Sequence, residues 1–355
     1  MGTGTQDILL FDTDRPVENS VKLVMPSATE IAARRIRRAT AHRDAVLLSG
    51  VTMGGGPCHW ALEDHLRAGL AAFATDEAAK TFDDDLAAVA AMGVTVLSDD
   101  EAQATRGPDR IELRDLDLDA IRTALAAFEV ETGFDGLALG CLDHGAAPPG
   151  YSDRLFRFDH LRRIVSGRND LRAFAFLPEE LPEYLTRARS MLAGRDLDVP
   201  AVFLDTGPAA ALGALHDERV RDYDEQVVLN LGNMHALAFH LSGSHIHALY
   251  EHHTGEMTTD QIESFTERLL TGHLTQEEVF TTKGHGVYYA DGHRNHPPII
   301  AVTGPQRSRL RHSRLRPYFA APHGDMMISG CFGLLDAFAE KYPDAREPIE
   351  DRLSA

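Results

Sequence analysis

The chain opens with Gly2-Thr3-Gly4-Thr5-Gln6-Asp7, and the apolar run Ile8-Leu9-Leu10-Phe11 follows directly. A glycine- and threonine-rich turn next to a strand is suited to phosphate, because glycines bring backbone N–H groups together into an anion-binding concavity. Threonine hydroxyls add further donors. Residues 7–12 are expected to form the strand and residues 18–24 its partner. The turn therefore predicts phosphate contacts from Gly2, Thr3, Gly4, Thr5 and Gln6.

A second turn of this kind lies in the middle of the chain. The run Val227-Val228-Leu229-Asn230-Leu231 enters the polar turn Gly232-Asn233-Met234-His235, and a further apolar strand leaves it. Many hairpins carry glycine and asparagine, so the signal gains its weight from the first turn. A histidine here can donate to phosphate or exchange a proton near neutral pH. We predict phosphate contacts from Gly232, Asn233, Met234 and His235.

The wider pattern predicts an α/β protein of two domains. Short apolar strands alternate with Ala/Leu-rich helices, which is typical of α/β folds. A length of 355 residues favours two domains, which we place at 1–200 and 201–355, each with a central mixed sheet. Residues 100–119 are polar and acidic and are expected to form a surface excursion. Thr29 and Thr258 are expected to cap helices, and the chain is expected to close with a short polar tail. The run Gly54-Gly55-Gly56 either approaches a ligand closely or is a flexible loop.

Composition excludes several classes of partner. The net charge of −19 argues against nucleic acid and anionic membrane, since both require basic surface. The three cysteines, Cys58, Cys141 and Cys331, are far apart in the sequence, as expected for reduced thiols rather than a disulfide framework. No apolar run approaches the ~20 residues of a membrane span, and no signal peptide is evident. We expect a cytoplasmic protein.

Three further stretches complete a known pattern. They are the segment 202–213 with Asp205-Thr206-Gly207-Pro208, the dipeptide Thr303-Gly304, and the segment 324–331 with Asp325. With the two glycine turns, they resemble the landmarks of the superfamily of actin, sugar kinases and heat-shock chaperone ATPases. The resemblance implies two ribonuclease H-like domains with a nucleotide cleft between them, and Mg²⁺ and ATP as cofactors. It also implies an adenosine contact at Thr303-Gly304, and connecting helices near Pro208 and after Asp325.

The chain departs from that pattern at its acidic positions. In the superfamily, a strand with a Mg²⁺-positioning acid normally precedes the first glycine turn. That strand is missing here, so we expect either that the start of the gene is assigned too far downstream or that the protein has lost the strand. Phosphoryl chemistry depends on positioned acids. The remaining candidates are Asp143, Asp205 and the neighbouring His144 for catalysis, with Asp7 and Asp325 for Mg²⁺. The alternative for these aspartates is a role in loops and helix caps.

A second resemblance extends over nearly the whole chain. The residues behind it are the first glycine turn and the segments 19–26, 52–57, 143–145, 230–235, 251–255 and 324–327. By these residues the chain is similar to one uncharacterised family of archaea and bacteria labelled "putative pyruvate formate-lyase activating enzyme". Enzymes with that activity use a radical iron–sulfur site, which needs a close cysteine triad, and this chain has none. We therefore do not accept the label as a description of this chain's chemistry.

Histidines are concentrated between residues 235 and 253. His245 and His247 share one strand face by the period of two. With a carboxylate such as Glu251, they are a candidate site for Zn²⁺ or Fe²⁺. The alternative is that these histidines only form hydrogen bonds.

Three functions remain open at this stage. The leading expectation is an ATP-binding protein whose slow hydrolysis couples domain closure to activation of a partner enzyme. The second is a small-molecule kinase or a carbamoyl-type transferase with a histidine-bound metal. The third is a nucleotide-binding protein without turnover.

Overall fold

A computed structural model describes residues 1–193, 198–291 and 298–354. The chain divides into two compact units. The first comprises Met1–Gln6, Met25–Leu137 and Leu185–Pro200, and the second comprises the remaining segments 7–24, 138–184 and 201–355. The boundary drawn from the sequence after residue 200 coincides with one crossing between the units, which otherwise interleave along the chain.

The strands are β1 (Thr5–Leu10), β2 (Val21–Pro26), β3 (Val46–Gly50), β4 (Ala72–Thr75), β5 (Val94–Leu97), β6 (Asp109–Leu113), β7 (Leu137–Leu139), β8 (Ala175–Phe176), β9 (Ala201–Leu204), β10 (Gln226–Leu231), β11 (His235–Ser242), β12 (His245–His253), β13 (Gly286–Tyr289), β14 (Ile299–Thr303) and β15 (Tyr318–Phe319).

The helices are α1 (Ala28–His42), α2 (Pro57–Arg67), α3 (Asp76–Ala79), α4 (Leu86–Ala91), α5 (Asp99–Ala104), α6 (Leu118–Ala126), α7 (Asp153–Gly167), α8 (Thr186–Ala193), α9 (Thr206–Ala214), α10 (Glu218–Arg221), α11 (Thr259–Leu270), α12 (Gln276–Thr281), α13 (Ser329–Lys341) and α14 (Pro343–Ser354).

The first unit contains a four-stranded sheet in the order β5-β4-β3-β6, and all its pairings are parallel. The sequence predicted a mixed sheet, and the expected surface excursion at 100–119 is also wrong, because β6 lies within it beside β3. Ile111 and Leu113 are buried while Arg110 and Glu112 between them are exposed, which is the alternation of a half-buried strand. The acidic flanks of this segment concealed that short pattern.

The start of α1 differs from the prediction in its cap. Ser27, rather than Thr29, accepts the capping hydrogen bond, from the N–H of Glu30. The Thr29 hydroxyl instead donates to the Gly55 carbonyl and accepts from the Cys58 N–H at 3.1 Å. Thr29 therefore ties α1 to the loop that precedes α2.

The second unit contains a mixed six-stranded sheet in the order β13-β12-β11-β10-β14-β15. The first four strands are antiparallel neighbours, and β14 is parallel to both β10 and β15. The predicted glycine turn at 232–235 joins β10 to β11, and a second turn at 243–244 joins β11 to β12.

Both faces of this sheet are covered. Along β10, Val228 packs with a core that includes residues of α7, α9 and α13. Its neighbours Val227 and Leu229 pack with the other core, which includes Ile262 and Phe265 of α11. Strands buried on both faces typically have a continuous apolar sequence, as residues 227–229 do before Asn230. The strand β10 is therefore fixed by side chains that pack on both faces of the sheet, and so is the turn that follows it.

Two helices of the second unit cross at glycine. A Cβ on Gly213 of α9 would overlap the Ser329 carbonyl group, and one on Gly333 of α13 would overlap the Ala209 backbone. The helices predicted near Pro208 and after Asp325 therefore pack directly on each other.

The C-terminal segment was expected to be a short polar tail, and this was wrong. It forms α14, because Ile349 and Leu353 are buried in a core shared with Phe332. The other sheets have the orders β1-β2 and β7-β9-β8. The protein is thus a mixed α/β protein with parallel and antiparallel sheets. Among the described residues, no helix combines the length and the apolar character needed to cross a membrane.

Candidate functional site

The two turns predicted to bind nucleotide in the second unit lie side by side. The strands β10 and β14 are parallel and in register, so the turns at 232–235 and 303–304 leave the same edge of the sheet. The Gln306 N–H donates to the Leu231 carbonyl at 2.9 Å. At Gly304, φ is +93° and a Cβ would lie 2.5 Å from the Leu231 oxygen. Only glycine allows so close an approach in this conformation.

The hairpin turn itself is tight. The Gly232 N–H donates to the His235 carbonyl at 2.9 Å, and a Cβ on Gly232 would lie 2.8 Å from the same oxygen. Asn233 is exposed at the tip, where its Oδ1 accepts from Gln306 Nε2 at 3.4 Å. The tip residues Asn233 and Met234 thus lie at the sheet edge, beside the Gln306 side chain.

The first glycine turn belongs to the first unit. The Gly2 N–H donates to the Thr5 carbonyl at 3.0 Å, and the Gly4 carbonyl accepts from the Ser27 N–H at 3.1 Å. The Thr3 methyl group would lie 3.3 Å from a Cβ on Gly56. The turn therefore packs on the triple-glycine loop, a contact that the sequence did not predict. The last predicted phosphate ligand, Gln6, donates instead from Nε2 to the Pro26 carbonyl at 2.9 Å.

The triple-glycine loop is held by the protein's own charges. Asp115 forms two hydrogen bonds with the Arg187 guanidinium, of 2.7 and 2.8 Å, and accepts from the Gly54 N–H at 3.2 Å. A Cβ on Gly54 would lie 2.6 Å from this guanidinium. The close approach seen at Gly54 is therefore to the Arg187 side chain, and whether this run also meets a ligand stays a prediction.

Four histidines of the second unit meet at one end of its sheet. His144 lies in the loop after β7, His235 begins β11, His253 ends β12, and His285 directly precedes β13. The antiparallel register pairs His235 with His253, and the loop before β13 brings in His285. We call His144, His235, His253 and His285 the histidine cluster.

The rings of the histidine cluster are in direct contact. The Nε2 atoms of His144 and His235 lie 3.1 Å apart. The His285 ring centroid lies 4.6 Å from that of His253, 5.2 Å from that of His235 and 5.8 Å from that of His144. His144, His235 and His285 each offer a ring nitrogen, and these three atoms lie within 4.8 Å of one another.

His285 is the most enclosed member of the cluster. Its exposed fraction is 0%, and within the part of the chain that the structure describes neither ring nitrogen has a hydrogen-bond partner. The backbone on both sides of His285 is closely packed, because a Cβ on Gly284 would overlap the His252 ring and one on Gly286 would overlap Phe158. The sequence analysis missed His285, although the Gly-His-Gly motif was a visible signal.

Three members of the histidine cluster, His235, His253 and His285, lie in surroundings that favour the neutral form. Burial lowers the pKa of His235 and of His285 well below the usual histidine value, and the charges of their histidine neighbours lower it further. Burial also lowers the pKa of His253. A neutral imidazole carries a free lone pair on one nitrogen, which is the form that binds metals.

A buried arginine lies behind the histidine cluster. The Arg157 guanidinium of α7 is fully buried and donates to Asp205 Oδ2 at 2.5 Å and to both carboxylate oxygens of Glu251. It also donates to the Asp143 carbonyl at 3.2 Å. Burial raises the pKa of Glu251, and the charge of Arg157 opposes that change. Sequence reasoning missed Arg157 because one arginine among many in that segment gives no signal.

Arg157 bonds two of the three predicted catalytic residues, Asp143 and Asp205, and the third, His144, directly follows Asp143 in the chain. Asp143 Oδ1 accepts from the Gly145 N–H at 2.8 Å, which fixes the loop that carries His144. Asp205 caps α9 through the Gly207 N–H at 2.9 Å, while its other oxygen binds Arg157. Both aspartates thus have the loop and cap roles that were their alternative interpretation, and both support the position of the histidine cluster.

The two predicted Mg²⁺ ligands, Asp7 and Asp325, lie near the same thiol. Burial raises the pKa of Cys331 to about 12, and the charges of Asp7 and Asp325 contribute to the increase. The Cys331 thiol donates to the Asp7 carbonyl at 3.5 Å. Asp325 Oδ1 accepts from the Met327 N–H at 3.0 Å, in the turn before α13. The two carboxylates therefore lie in one region of the second unit.

The predicted histidine pair lies at the other end of the β11–β12 hairpin. His245 Nε2 lies 2.5 Å from Asp291 Oδ2, and His247 Nδ1 lies 3.1 Å from the same oxygen. His247 Nε2 bonds the Ser242 hydroxyl at 2.8 Å. Glu251, the carboxylate suggested with this pair, instead binds Arg157. We call His245, His247 and Asp291 the His245 group.

A comparison with protein families gives one match. The model of the family described as "Putative pyruvate format-lyase activating enzyme (DUF1786)" matches residues 53–309. Neither the curated proteins nor the solved structures contain a match to this chain. The matched segment is well over half of the chain and contains the whole histidine cluster and the hairpin turn at 232–235. The chain therefore belongs to the uncharacterised family described as "Putative pyruvate format-lyase activating enzyme (DUF1786)".

Proposed function

We propose that the second unit has the actin-like fold and binds ATP with Mg²⁺ at the edge where β10 and β14 end. The adjacency of the turns at 232–235 and 303–304 carries this proposal. In the actin-like superfamily, which the sequence resembles, these turns contact the phosphates and the adenosine. Both have the close backbone packing that only glycine permits.

The N–H groups at the hairpin tip, those of Asn233 and Met234, are proposed to meet the phosphates. The Gly232 N–H is already used to close the turn. Asp7 and Asp325 are the proposed Mg²⁺ ligands, and Mg²⁺ is suited to one or two carboxylates together with phosphate oxygens. Bound Mg²⁺ would supply the positive charge that screens the phosphates.

Turnover is proposed to be slow. Phosphoryl transfer depends on a carboxylate placed to orient the attacking group. Asp205 is occupied by Arg157 and a helix cap, and Asp143 is occupied by its own loop. This arrangement favours a nucleotide-dependent activator of a partner enzyme, with low basal hydrolysis.

A second candidate is metal-assisted transfer of a phosphoryl or carbamoyl group to a small molecule. The histidine cluster favours it, because His235 belongs both to the cluster and to the proposed phosphate turn. This candidate requires dependence of turnover on a small acceptor, whereas the activator requires stimulation by a partner protein.

The test is calorimetric titration of the full chain with ATP and with ADP in the presence of Mg²⁺. We expect saturable binding that the variant Asn233→Asp weakens about tenfold, which corresponds to about 1.4 kcal/mol of repulsion between the new carboxylate and phosphate. The control Asn19→Asp makes the same change at an exposed asparagine of the same unit that belongs to neither turn, and should bind as the wild type does. The absence of binding, or equal binding by Asn233→Asp, would overturn the proposal.

A further inference from the structure

His285 has two buried ring nitrogens that its surroundings do not satisfy. Neither nitrogen has a partner among the described residues. Nearby, the His144 and His235 Nε2 atoms face each other at 3.1 Å, and a hydrogen bond between them requires one ring to carry its proton there. Leaving a buried polar atom unpaired costs about 1–3 kcal/mol. The two His285 nitrogens therefore favour a group from outside the polypeptide at this position.

A hydrophobic or a proton-based explanation does not account for the cluster. An apolar side chain at position 285 would avoid the cost of the buried imidazole, yet the chain has a histidine there, between two closely packed glycines. Protonation would give each ring two donors, but the rings would then repel one another at centroid distances of 4.6 to 5.8 Å. Neutral rings avoid this repulsion, and when the His144 and His235 protons lie on Nδ1 the two Nε2 lone pairs are free to bind a metal cation.

We propose that His144, His235 and His285 bind a divalent transition metal, Zn²⁺ or Fe²⁺, and leave a coordination position open. Their three nitrogens already lie within 4.8 Å of one another. Ligands in a tetrahedral zinc site with bonds of about 2.0–2.1 Å lie about 3.3–3.4 Å apart, so only small side-chain movements are needed. Imidazole ligands favour zinc, iron, copper and nickel over magnesium and calcium.

The arrangement around the three ligands is typical of a catalytic rather than a structural metal site. Structural zinc sites are closed by four protein ligands, whereas three protein ligands leave a place for water or substrate. Arg157 fixes the ligand loop by holding the Asp143 carbonyl, and Asp143 fixes the same loop through Gly145. Such outer contacts orient metal ligands. The metal would act as a Lewis acid on an oxygen atom bound at the open position.

The His245 group gives an internal comparison. Its histidines bind Asp291 at 2.5 and 3.1 Å, and His247 Nε2 binds Ser242. Their ligand atoms, like those of the other three histidines, lie within 4.8 Å of one another, but here hydrogen bonds within the group already satisfy the facing atoms. His245 is also 41% exposed, whereas His285 is wholly enclosed. The His245 group is therefore a suitable source of control variants.

The metal proposal is independent of nucleotide binding and is tested without nucleotide. Full-length protein without a histidine tag is stripped with a chelator and reconstituted with Zn²⁺ or Co²⁺. Bound metal is then measured by elemental analysis. The visible spectrum of the Co²⁺ form reports nitrogen ligation. We expect stoichiometric metal in the wild type and a loss of affinity of at least about a hundredfold in His285→Leu.

Two further variants keep the test decisive. His144→Ala changes a loop residue and should lose metal even if His285→Leu does not fold. His245→Leu removes a histidine from the His245 group and should keep the wild-type metal content. In the absence of metal, His285→Leu should be at least as stable as the wild type, because it removes two unpaired polar atoms. Metal content in the wild type no higher than in His144→Ala would overturn the proposal, as would loss of metal in His245→Leu alone.

Discussion

Arg157 shows how one residue sets the charge environment of the site. Its guanidinium is enclosed by Asp205, Glu251 and the Asp143 carbonyl, so its charge is compensated where water is absent. Buried ion pairs are weak evidence for stability, since desolvation offsets much of their attraction. The better-supported role of Arg157 is positional, because it joins α7, β12 and the loop that carries His144. Its charge also acts on the neighbouring His160.

His160 provides a prediction about pH. Burial, with a further contribution from Arg157, lowers its pKa from 6.5 to about 4, and its Nδ1 bonds the Tyr184 hydroxyl at 3.0 Å. Between pH 6.5 and pH 4, His160 is therefore protonated in the unfolded chain but neutral in the folded chain. Stability should decrease as the pH falls from 6.5 towards 4, with a contribution of about 3 kcal/mol from this histidine. Urea unfolding at several pH values measures that slope.

The variant His160→Gln isolates the contribution of this side chain. Glutamine keeps a polar group near Tyr184 but does not titrate, so the slope below pH 6.5 should become shallower than in the wild type. His312 is exposed in the same unit, and His312→Gln should keep the wild-type slope. Identical slopes in the wild type and His160→Gln would contradict the prediction.

At the scale of elements, the crossing of α9 and α13 gives a prediction about packing. An added methyl group on Gly333 would overlap the Ala209 backbone. Backbone cannot move aside as a side chain can, so Gly333→Ala should separate the helices. We expect a loss of about 1–3 kcal/mol in the free energy of unfolding, measured from urea denaturation of the full chain.

The same helix supplies a matched control. A Cβ on Gly330 would meet nothing within 4 Å, and alanine favours a helix over glycine by up to about 1 kcal/mol. Gly330→Ala should therefore be neutral or stabilising. Equal destabilisation by Gly333→Ala and Gly330→Ala would contradict the prediction that the close contact between α9 and α13 specifically requires Gly333.

Elements with a local signal were predicted well from the sequence. Thr258 caps α11 as expected, through a capping box with Gln261, and the apolar run 227–231 forms a strand. The first hairpin of the central sheet follows from Gly232 in the same way. In each case the contacts that determine the element lie within a few residues along the chain. Hydrophobic pattern and turn residues in the sequence indicate contacts of this short range.

The composition of the histidine cluster could not be predicted in this way. His144 and His235 were singled out, but nothing local joins them to His285, since their contact depends on the order β13-β12-β11. Strand order is set by long-range packing, so the residues next to each histidine in the sequence do not indicate which strands become neighbours. The strand β6 was missed for a related reason, because it is completed only by pairing with β3.

At the scale of the whole molecule, the net charge of −19 gives a prediction about salt. A large excess of one charge destabilises the compact state through self-repulsion. The screening length falls from about 30 Å at 0.01 M salt to about 8 Å at 0.15 M, so distant repulsions are removed while close ion pairs largely persist. At pH 7.5, the midpoint of thermal unfolding should therefore rise between these two concentrations of potassium chloride, as measured by circular dichroism. Near the isoelectric point of about 5.3, the excess charge vanishes and the same change of salt should have little effect. A midpoint that falls with salt at pH 7.5 would mean that attraction between opposite charges outweighs the repulsion among the acidic residues.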